Sequence, residues 1–142
     1  MDADKFENYK KERYEPQVKW YDEKSISNKK WNNILQILVI VIAAILPVSA
    51  VLEYKWPTVI LAAIVAIGTG ILKYCKFEEH WHNYRTTCET LRKEKYYYEA
   101  KIGEYKDSAE PEELFVERVE ALISQAHTKW DTTVKKAKKS GE

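Results

Sequence analysis

The sequence has few of the residues and motifs on which most enzymes depend. It holds only two cysteines and four glycines, and the glycines do not form a loop that would cradle a phosphate group. It has no nucleophile motif and no set of acids and bases that would converge on a substrate. We therefore expect a protein that is not an enzyme, with no catalytic residues and no cofactor.

A concentrated basic region is also missing. The net charge is +1, and basic residues alternate with acidic ones, as in the pair Glu89 and Lys93. A surface that binds nucleic acid needs a basic patch that neutralises phosphates. We therefore expect no nucleic-acid partner.

Charge is absent altogether from two long stretches. Charged residues make up 32% of the chain, yet none occurs in the 22 residues from Trp31 to Leu52 or in the 17 from Trp56 to Leu72. The first stretch holds thirteen Ile, Leu and Val residues, which favour insertion into a bilayer by about 4 to 8 kcal/mol. The second holds eight, and it reaches a spanning length of about 20 residues only if Lys73 snorkels and Tyr74 and Cys75 are counted. The sequence predicts two transmembrane helices.

Aromatic residues stand at the ends of both stretches, namely Trp31, Tyr54, Trp56 and Tyr74. Such a belt at the membrane–water interface is typical of transmembrane helices. A hairpin buried in a soluble core would account for the apolar stretches but not for this placement. Because the first thirty residues are polar, we do not expect a signal peptide.

Basic residues indicate the orientation of the two spans. They lie before the first span and after the second: Lys19, Lys24, Lys29, Lys30, Lys73, Lys76 and Arg85. The turn between the spans carries only Lys55. The positive-inside rule therefore places both termini of this multi-pass protein in the cytoplasm. Cys75 and Cys88 would then face a reducing compartment, so we expect no disulfide.

These features predict an all-α membrane protein, in which a two-transmembrane-helix hairpin carries long cytoplasmic helical extensions that form a bundle. We predict a single domain over residues 1–142. Its parts are an N-terminal cytoplasmic helix (1–30), a first transmembrane helix (31–52), an external turn (53–56), a second transmembrane helix (57–75), a cytoplasmic heptad helix (76–102) and a return helix (111–137).

The predicted heptad helix follows spacings of four and three at Phe77, Trp81, Tyr84, Cys88, Leu91, Lys95, Tyr98 and Ile102. This pattern predicts one helix that continues from the second span as far as Gly103. Pro111 suits the first position of the return helix. The predicted inner face of that helix holds Phe115, Val119, Leu122, Ala126 and Trp130. The heptad stripe either bundles subunits in register or is filled by the return helix.

Two further expectations concern the ends of the chain. Pro16 is predicted to mark a break or a start in the N-terminal helix. An antiparallel return helix would bring Lys135, Lys136, Lys138 and Lys139 near the headgroups, where each would gain about 1 kcal/mol from anionic lipid. The alternative for these lysines is a frayed, solvated tail.

Three segments resemble a known family. WYDEKSISNKKWNNILQILVIVIAAILPV resembles the start of the domain of unknown function 4231, and LRKEKYYYEAKIGEY and ELFVERVEALISQAHTKW resemble its second half. That family is similar to the SLATT group, two-span proteins that are associated with nucleotide-sensing bacterial conflict systems and are proposed to act as pore-forming effectors. The resemblance implies a plasma-membrane protein of a prokaryote, whose trigger comes from a soluble sensor or regulatory partner.

The best candidate for metal binding is the sequence EEHWH. Glu78 or Glu79 would share a helical face with His82, and Cys75 lies one turn before them. His80 diverges from His82 on a helix, whereas a closed zinc site needs four convergent ligands. We predict no metal site within one chain; a site shared between subunits stays open.

Two spans alone cannot surround water, so a pore requires a homo-oligomer within the lipid bilayer. The predicted pore-lining residues are Asn32, Asn33, Gln36, Ala43, Pro47, Ala50 and Glu53. A ridge of small residues would let helices approach closely, either between subunits or against the first span; it consists of Ala62, Ala66 and Gly70. The predicted contacts of the bundle or oligomer are Phe77, Trp81, Tyr84, Leu91, Tyr98, Phe115, Val119, Leu122 and Trp130.

We predict a pore of the effector type that conducts ions or permeabilises the membrane. A mostly apolar lumen with a ring of amides would form a hydrophobic gate that opens by wetting. The alternative is a non-conducting membrane-anchored scaffold, whose bundle recruits a soluble partner through Tyr96, Tyr97 and Tyr98. Conductance and subunit number separate the two functions.

Overall fold

The computed structural model describes residues 2–53 and 55–139, without the side chains of residues 130, 133, 134 and 136–139. Within these ranges the chain is helical apart from short turns, and it contains no strand. The prediction of an all-α fold is confirmed.

Five α-helices follow one another along the described chain. They are α1 (Ala3–Tyr9), α2 (Glu15–Val51), α3 (Lys55–Cys75), α4 (Phe77–Ala100) and α5 (Pro111–Lys139). A π-helical turn, Lys10–Tyr14, joins α1 to α2, and a 3-10 turn, Gly103–Tyr105, lies between α4 and α5. Pro111 opens α5 as predicted, because proline fixes a helical φ and the first helical position needs no N–H donor.

The apolar segments of the hairpin are open to their surroundings. The helical runs Ala3–Val51 and Lys55–Tyr105 each contain a stretch long and apolar enough to cross a membrane, and 6% and 0% of these stretches are buried inside the chain. A helix at the centre of a soluble core would be mostly covered by other elements. The hairpin is therefore not the buried core of this chain.

Pro16 lies at the start of α2, yet the chain stays helical across it from Ala3 to Val51. The π-helical turn Lys10–Tyr14 directly precedes this point. A proline normally clashes with the carbonyl one turn before it and lacks the N–H that this carbonyl would bind. A wider π turn accommodates both effects without ending the helix.

The prediction of one continuous helix from the second span to Gly103 is wrong at two places. The first is Lys76, whose φ of 45° separates α3 from α4. The second is Lys101, whose φ of 52° ends α4 after Ala100. At Lys101 the N–H groups of Lys101 and Ile102 bind the carbonyls of Tyr98 and Tyr97, which is the Schellman arrangement. The sequence does not predict either break, because the left-handed conformation is disfavoured for lysine and is usually adopted by glycine.

The chain divides into two compact units, where the sequence predicts a single domain. The bundle unit comprises Met1–Glu23 and Asn83–Glu142, and the hairpin unit comprises Lys24–His82. Each unit brings together segments from both sides of the turn between α2 and α3.

The bundle unit packs around aromatic and aliphatic side chains. Its core consists of Phe6, Tyr14, Tyr21, Cys88, Leu91, Tyr105, Phe115, Val119 and Ile123. Three further predicted contact residues, Tyr84, Tyr98 and Leu122, pack against this core. Cys88 and Leu91 of the heptad stripe are thus buried within the chain, in a core formed with α5 and the N-terminal helices. Trp130 belongs to α5, but its side chain lies outside the described residues, as do those of Lys136, Lys138 and Lys139.

The inner face of α4 keeps Cys88 and Leu91 of the predicted stripe but departs from it at residues 94 and 95. Glu94 is buried, whereas Lys95 is half-buried. The Glu94 carboxylate accepts a hydrogen bond of 2.6 Å from the Tyr105 hydroxyl and forms an ion pair with Arg118, whose Nε lies 2.6 Å away. This pairing explains how a charged residue occupies the interior, since a buried carboxylate requires compensating donors. Ile102, the last residue of the predicted stripe, lies beyond α4 and is exposed.

Candidate functional site

The hairpin unit packs through one residue in every three or four. These positions are the only described ones from Trp31 to Leu72 that are not exposed. On α2 they are Asn32, Leu35, Val39, Ile42, Leu46 and Ser49, and on α3 they are Thr58, Leu61, Val65, Gly68 and Leu72. We call this set the interface stripe. Its alternating spacing of three and four is typical of two α-helices that pack side by side and wind around each other in a left-handed supercoil.

Two contacts fix the register of the interface stripe. The Ser49 and Thr58 hydroxyls are 2.9 Å apart, close to the turn. Further along, a Cβ placed on Gly68 would stand 2.8 Å from Val39 Cγ2, so the two helices meet closely there. Sequence reasoning assigned the close approach to Ala62, Ala66 and Gly70 and missed Gly68. The missing signal is the register, which the apolar pattern alone does not supply.

The two exposed sides of the hairpin differ in chemistry. Because both helices are right-handed and run antiparallel, a residue directly after an interface position points to the same side on either helix. These residues form the small side: Asn33, Gln36, Ile40, Ala43, Pro47 and Ala50 of α2, with Val59, Ala62, Ala66, Thr69 and Lys73 of α3. Residues directly before an interface position form the bulky side: Trp31, Ile34, Leu38, Val41, Ile45 and Val48, with Pro57, Ile60, Ile64, Ile67 and Ile71.

The residues predicted to line a pore and those predicted to pack helices fall largely on one side. Gln36, Ala43, Pro47 and Ala50 share the small side with Ala62 and Ala66, and all six are exposed. Asn33 lies there too, whereas Asn32 is half-buried in the interface stripe. Gly70 lies further round α3, where a Cβ would meet nothing within 4 Å. Glu53 is exposed in the turn, with a φ of 58°.

A polar groove opens at the base of the hairpin, on the small side. Its volume is about 570 Å³. It is lined by Asn32, Gln36, Thr69, Leu72, Lys73, Lys76, Phe77, Glu78, Glu79 and His82. A neighbouring cavity of about 180 Å³ shares Asn32, Gln36 and Glu78 and adds Lys29, Asn33 and Trp81. We call the larger one the basal groove. It brings the predicted amides Asn32 and Gln36 of α2 together with Thr69 of α3.

The helix break at Lys76 shapes this groove and orders its charges. The Lys76 ammonium lies 3.4 Å from Glu79, one turn into α4. Lys29 lies over the ring of Trp81, with its ammonium 5.1 Å from the ring centroid. Lys73 and Glu78 form no ion pair within the described part of the chain.

The EEHWH segment contributes to the basal groove through Glu78, Glu79 and His82. His80 does not line it. Across residues 2–53 and 55–139, no group of three or more His, Cys, Asp and Glu side chains is arranged to hold a metal ion. Cys75 and Cys88 are both free thiols. Burial raises the pKa of the Cys88 thiol, which makes it a poor nucleophile.

Polar contacts between the N-terminal segment and α5 stabilise the bundle unit. Glu120 accepts hydrogen bonds from Arg13 Nε at 3.0 Å and from the Tyr9 hydroxyl at 2.9 Å. The bond from Arg13, aided by Tyr9, holds the pKa of Glu120 below its usual value. Asp22 lies 3.3 Å from Arg92 and 3.5 Å from Arg85. These ion pairs tie segments that are distant in sequence.

The three consecutive tyrosines of α4 differ in exposure. Tyr96 is 67% exposed, whereas Tyr97 and Tyr98 are half-buried and pack against the core. Lys93 lies over the ring of Tyr97, 5.1 Å from its centroid. Of the three tyrosines, Tyr96 therefore offers a partner the largest aromatic surface.

A family model described as protein of unknown function (DUF4231) matches residues 16–113, which include α3, α4 and all of α2 except Glu15. No curated protein and no solved structure matches the chain.

Proposed function

The chain belongs to the DUF4231 family, and from this membership and the geometry of its hairpin we propose that it is an integral membrane protein whose hairpins assemble into a pore. The proposed location is the plasma membrane of a prokaryote, with two spans and both termini in the cytoplasm. One observation carries the proposal: the hairpin presents an exposed small side that its own helices leave uncovered.

Insertion of the hairpin into a bilayer is supported by what it exposes. The bulky side offers a continuous surface of branched aliphatic side chains, such as Ile60, Ile64 and Ile67. In water such a surface would be unfavourable, because each Å² of apolar area that stays exposed forgoes about 25 cal/mol of stabilising free energy. Trp31, Trp56 and Tyr74, at three ends of the two stretches, are also exposed, as residues of an interfacial belt are. The fourth, Tyr54, lies outside the described residues.

Assembly through the small side is supported by the nature of helix packing in lipid. Transmembrane helices gain little from hiding apolar surface, because lipid tails are equally apolar. They associate where small residues let backbones approach, and Ala43, Ala62 and Ala66 provide such positions on both helices. The bulky side, in contrast, fits the fluid acyl chains.

Conduction requires polar groups beside this packing surface, and the small side has them. Gln36 and Thr69 lie at its base in the basal groove. Pro47 lies inside α2 and has no N–H, so the carbonyl of Ala43 lacks its regular helical donor. A ring of such hairpins would enclose a narrow lumen of alanines and amides, which gates by wetting. The protein would act as a membrane-damaging effector that a soluble sensor or regulatory partner switches on.

A scaffold is the second candidate, and the completeness of the bundle unit favours it. This unit has a closed core of its own, and Tyr96 remains on its surface. A scaffold would need the hairpin only as an anchor.

The number of subunits distinguishes the two functions. A dimer of hairpins leaves no room for a lumen, whereas a ring of about five or more does. We expect native mass spectrometry of the detergent-solubilised chain to show one closed oligomer of that size. A monomer or dimer at every protein concentration would contradict the pore and favour the scaffold.

A further inference from the structure

The basal groove lies where the apolar sequence of both spans meets the charged sequence beyond them. Gln36 and Thr69 belong to the two charge-free stretches, and Lys73 is the first charged residue after the second stretch. In an inserted hairpin this point falls at the depth of the lipid headgroups, just outside a hydrocarbon layer of about 30 Å. The groove therefore opens towards phospholipid headgroups.

Of the four charged residues that line the groove, only two pair with each other. Lys76 pairs with Glu79 at 3.4 Å, which leaves Lys73 and Glu78 as a cation and an anion without ion-pair partners in the part of the chain that the structure describes. Both line the same groove, and its volume of about 570 Å³ is within the range of about 300–1,000 Å³ that is usual for ligand pockets. A ligand that satisfies both must itself carry an anion and a cation.

We propose that the basal groove binds the headgroup of a phospholipid with a phosphate and a primary amine. The Lys73 ammonium binds the phosphate, and the Glu78 carboxylate accepts hydrogen bonds from the amine. The amides of Asn32 and Gln36 supply further donors to the phosphate and glycerol oxygens. The acyl chains leave the groove past Leu72 and Phe77, its apolar lining residues, and not through the lumen proposed above. This site goes beyond the proposed pore, because it requires an inserted hairpin but not conduction.

The proposal makes the groove selective among headgroups. A trimethylated amine has no N–H to donate to Glu78, so a choline headgroup loses that interaction. A glycerol headgroup keeps the phosphate but has no cation, and Glu78 then repels the lipid's net negative charge. A headgroup without acyl chains keeps both charged contacts but loses the apolar contribution.

The test is a titration of the full-length chain in dodecyl maltoside micelles, with binding counted by native mass spectrometry. The probes are dihexanoyl phosphatidylethanolamine, phosphatidylcholine and phosphatidylglycerol, and glycerophosphoethanolamine as the soluble headgroup. We expect phosphatidylethanolamine to bind at least tenfold more tightly than each of the other three. Equal binding of the three lipids, or equal binding of the soluble headgroup, would overturn the proposal.

Two substitutions separate the roles of the charged residues. Lys73→Gln should weaken the binding of phosphatidylethanolamine and of phosphatidylglycerol alike, by about tenfold. Glu78→Gln should weaken the binding of phosphatidylethanolamine and, by removing the repulsion, strengthen that of phosphatidylglycerol, so that the advantage of phosphatidylethanolamine is lost. Lys55→Gln and Glu53→Gln, at the other end of the hairpin, are the matched controls and should leave both affinities unchanged. Circular dichroism checks that each variant keeps its helical content. Variants that fold but bind all lipids as the parent chain does would contradict the proposal, as would controls with the same losses.

Discussion

Gly68 faces Val39 across the hairpin so closely that a Cβ on Gly68 would stand 2.8 Å from Val39 Cγ2. Real Cβ atoms do not approach other atoms this closely, and valine is stiff at χ1 and cannot turn the methyl aside. This contact is a point of close approach between α2 and α3 within the interface stripe. It offers a direct probe of the packing between the two helices.

Gly68→Ala should therefore destabilise the hairpin, by about 1–3 kcal/mol as is usual for overpacking. Gly70→Ala is the matched control, because its added methyl group meets nothing within 4 Å. The measurement is unfolding in mixed micelles, followed by circular dichroism. The double variant Gly68→Ala with Val39→Ala should recover part of the loss. Equal stability of the Gly68 and Gly70 variants would refute the packing described.

Ala62→Leu should reduce the size of the oligomer, because a leucine on the small side prevents close approach of the neighbouring hairpin. Ala63→Leu makes the same change one residue further round α3, at an exposed position outside both sides defined above. Native mass spectrometry of the two variants is the measurement. We expect smaller species for Ala62→Leu only. If the Ala62 variant keeps the parent's subunit number, the small side is not an interface.

The stability of the bundle unit should depend on the ionisation of Glu120. Its pKa is lowered in the folded state, chiefly by the hydrogen bond from Arg13. Such a carboxylate contributes stability that is present above its usual pKa of 4.5 and is lost as the pH falls through the folded value. The pair is partly exposed, so the contribution is about 0.2–1 kcal/mol.

Thermal unfolding at pH 7 and at pH values below 4.5 checks this dependence on Glu120. Glu120→Gln should be less stable than the parent chain at pH 7, and the difference should shrink in acid. Glu117→Gln alters an exposed carboxylate three residues away on α5 and should show no such trend. If the difference in stability between Glu120→Gln and the parent chain stays constant with pH, the ionised Glu120 carboxylate does not have the stabilising role assigned to it.

Gln36→Leu should lower ion flux through reconstituted protein by about tenfold, since it removes an amide from the base of the small side and makes a hydrophobic gate harder to wet. Gln125→Leu makes the same substitution at an exposed position of α5 in the bundle unit and serves as the control. Flux into liposomes at matched protein content is the measurement. Unaltered currents in the Gln36 variant would remove that residue from the lining.

The two apolar stretches, the short turn and the start of α5 at Pro111 could be predicted from the sequence, because each rests on composition or on a proline with local consequences. The break at Lys76 could not, since nothing in a lysine signals a left-handed conformation. Glu94 rather than Lys95 is buried on the inner face of α4. The reasons are that α4 packs against two partners, α5 and the N-terminal helices, and that Tyr105 and Arg118 pair with the Glu94 carboxylate. Neither partner is visible in the spacing of α4.

The candidate site shows the same division between local and register-dependent features. Gln36, Ala43 and Ala50 could be singled out by their type and spacing. That they share a side with Ala62 and Ala66 emerges only once Gly68 is placed opposite Val39. Lys73 and Glu78 become neighbours of one groove only through the break between α3 and α4.

The most direct test of the proposed pore is ion flux through liposomes that contain the purified chain, compared with protein-free liposomes. We predict flux that rises with protein content and falls with increasing ion size, as a lumen of fixed width requires. The measurement needs the chain assembled into the proposed ring of subunits, with any required partner supplied. Sealed vesicles with the oligomer intact would contradict conduction and leave the membrane-anchored scaffold as the function.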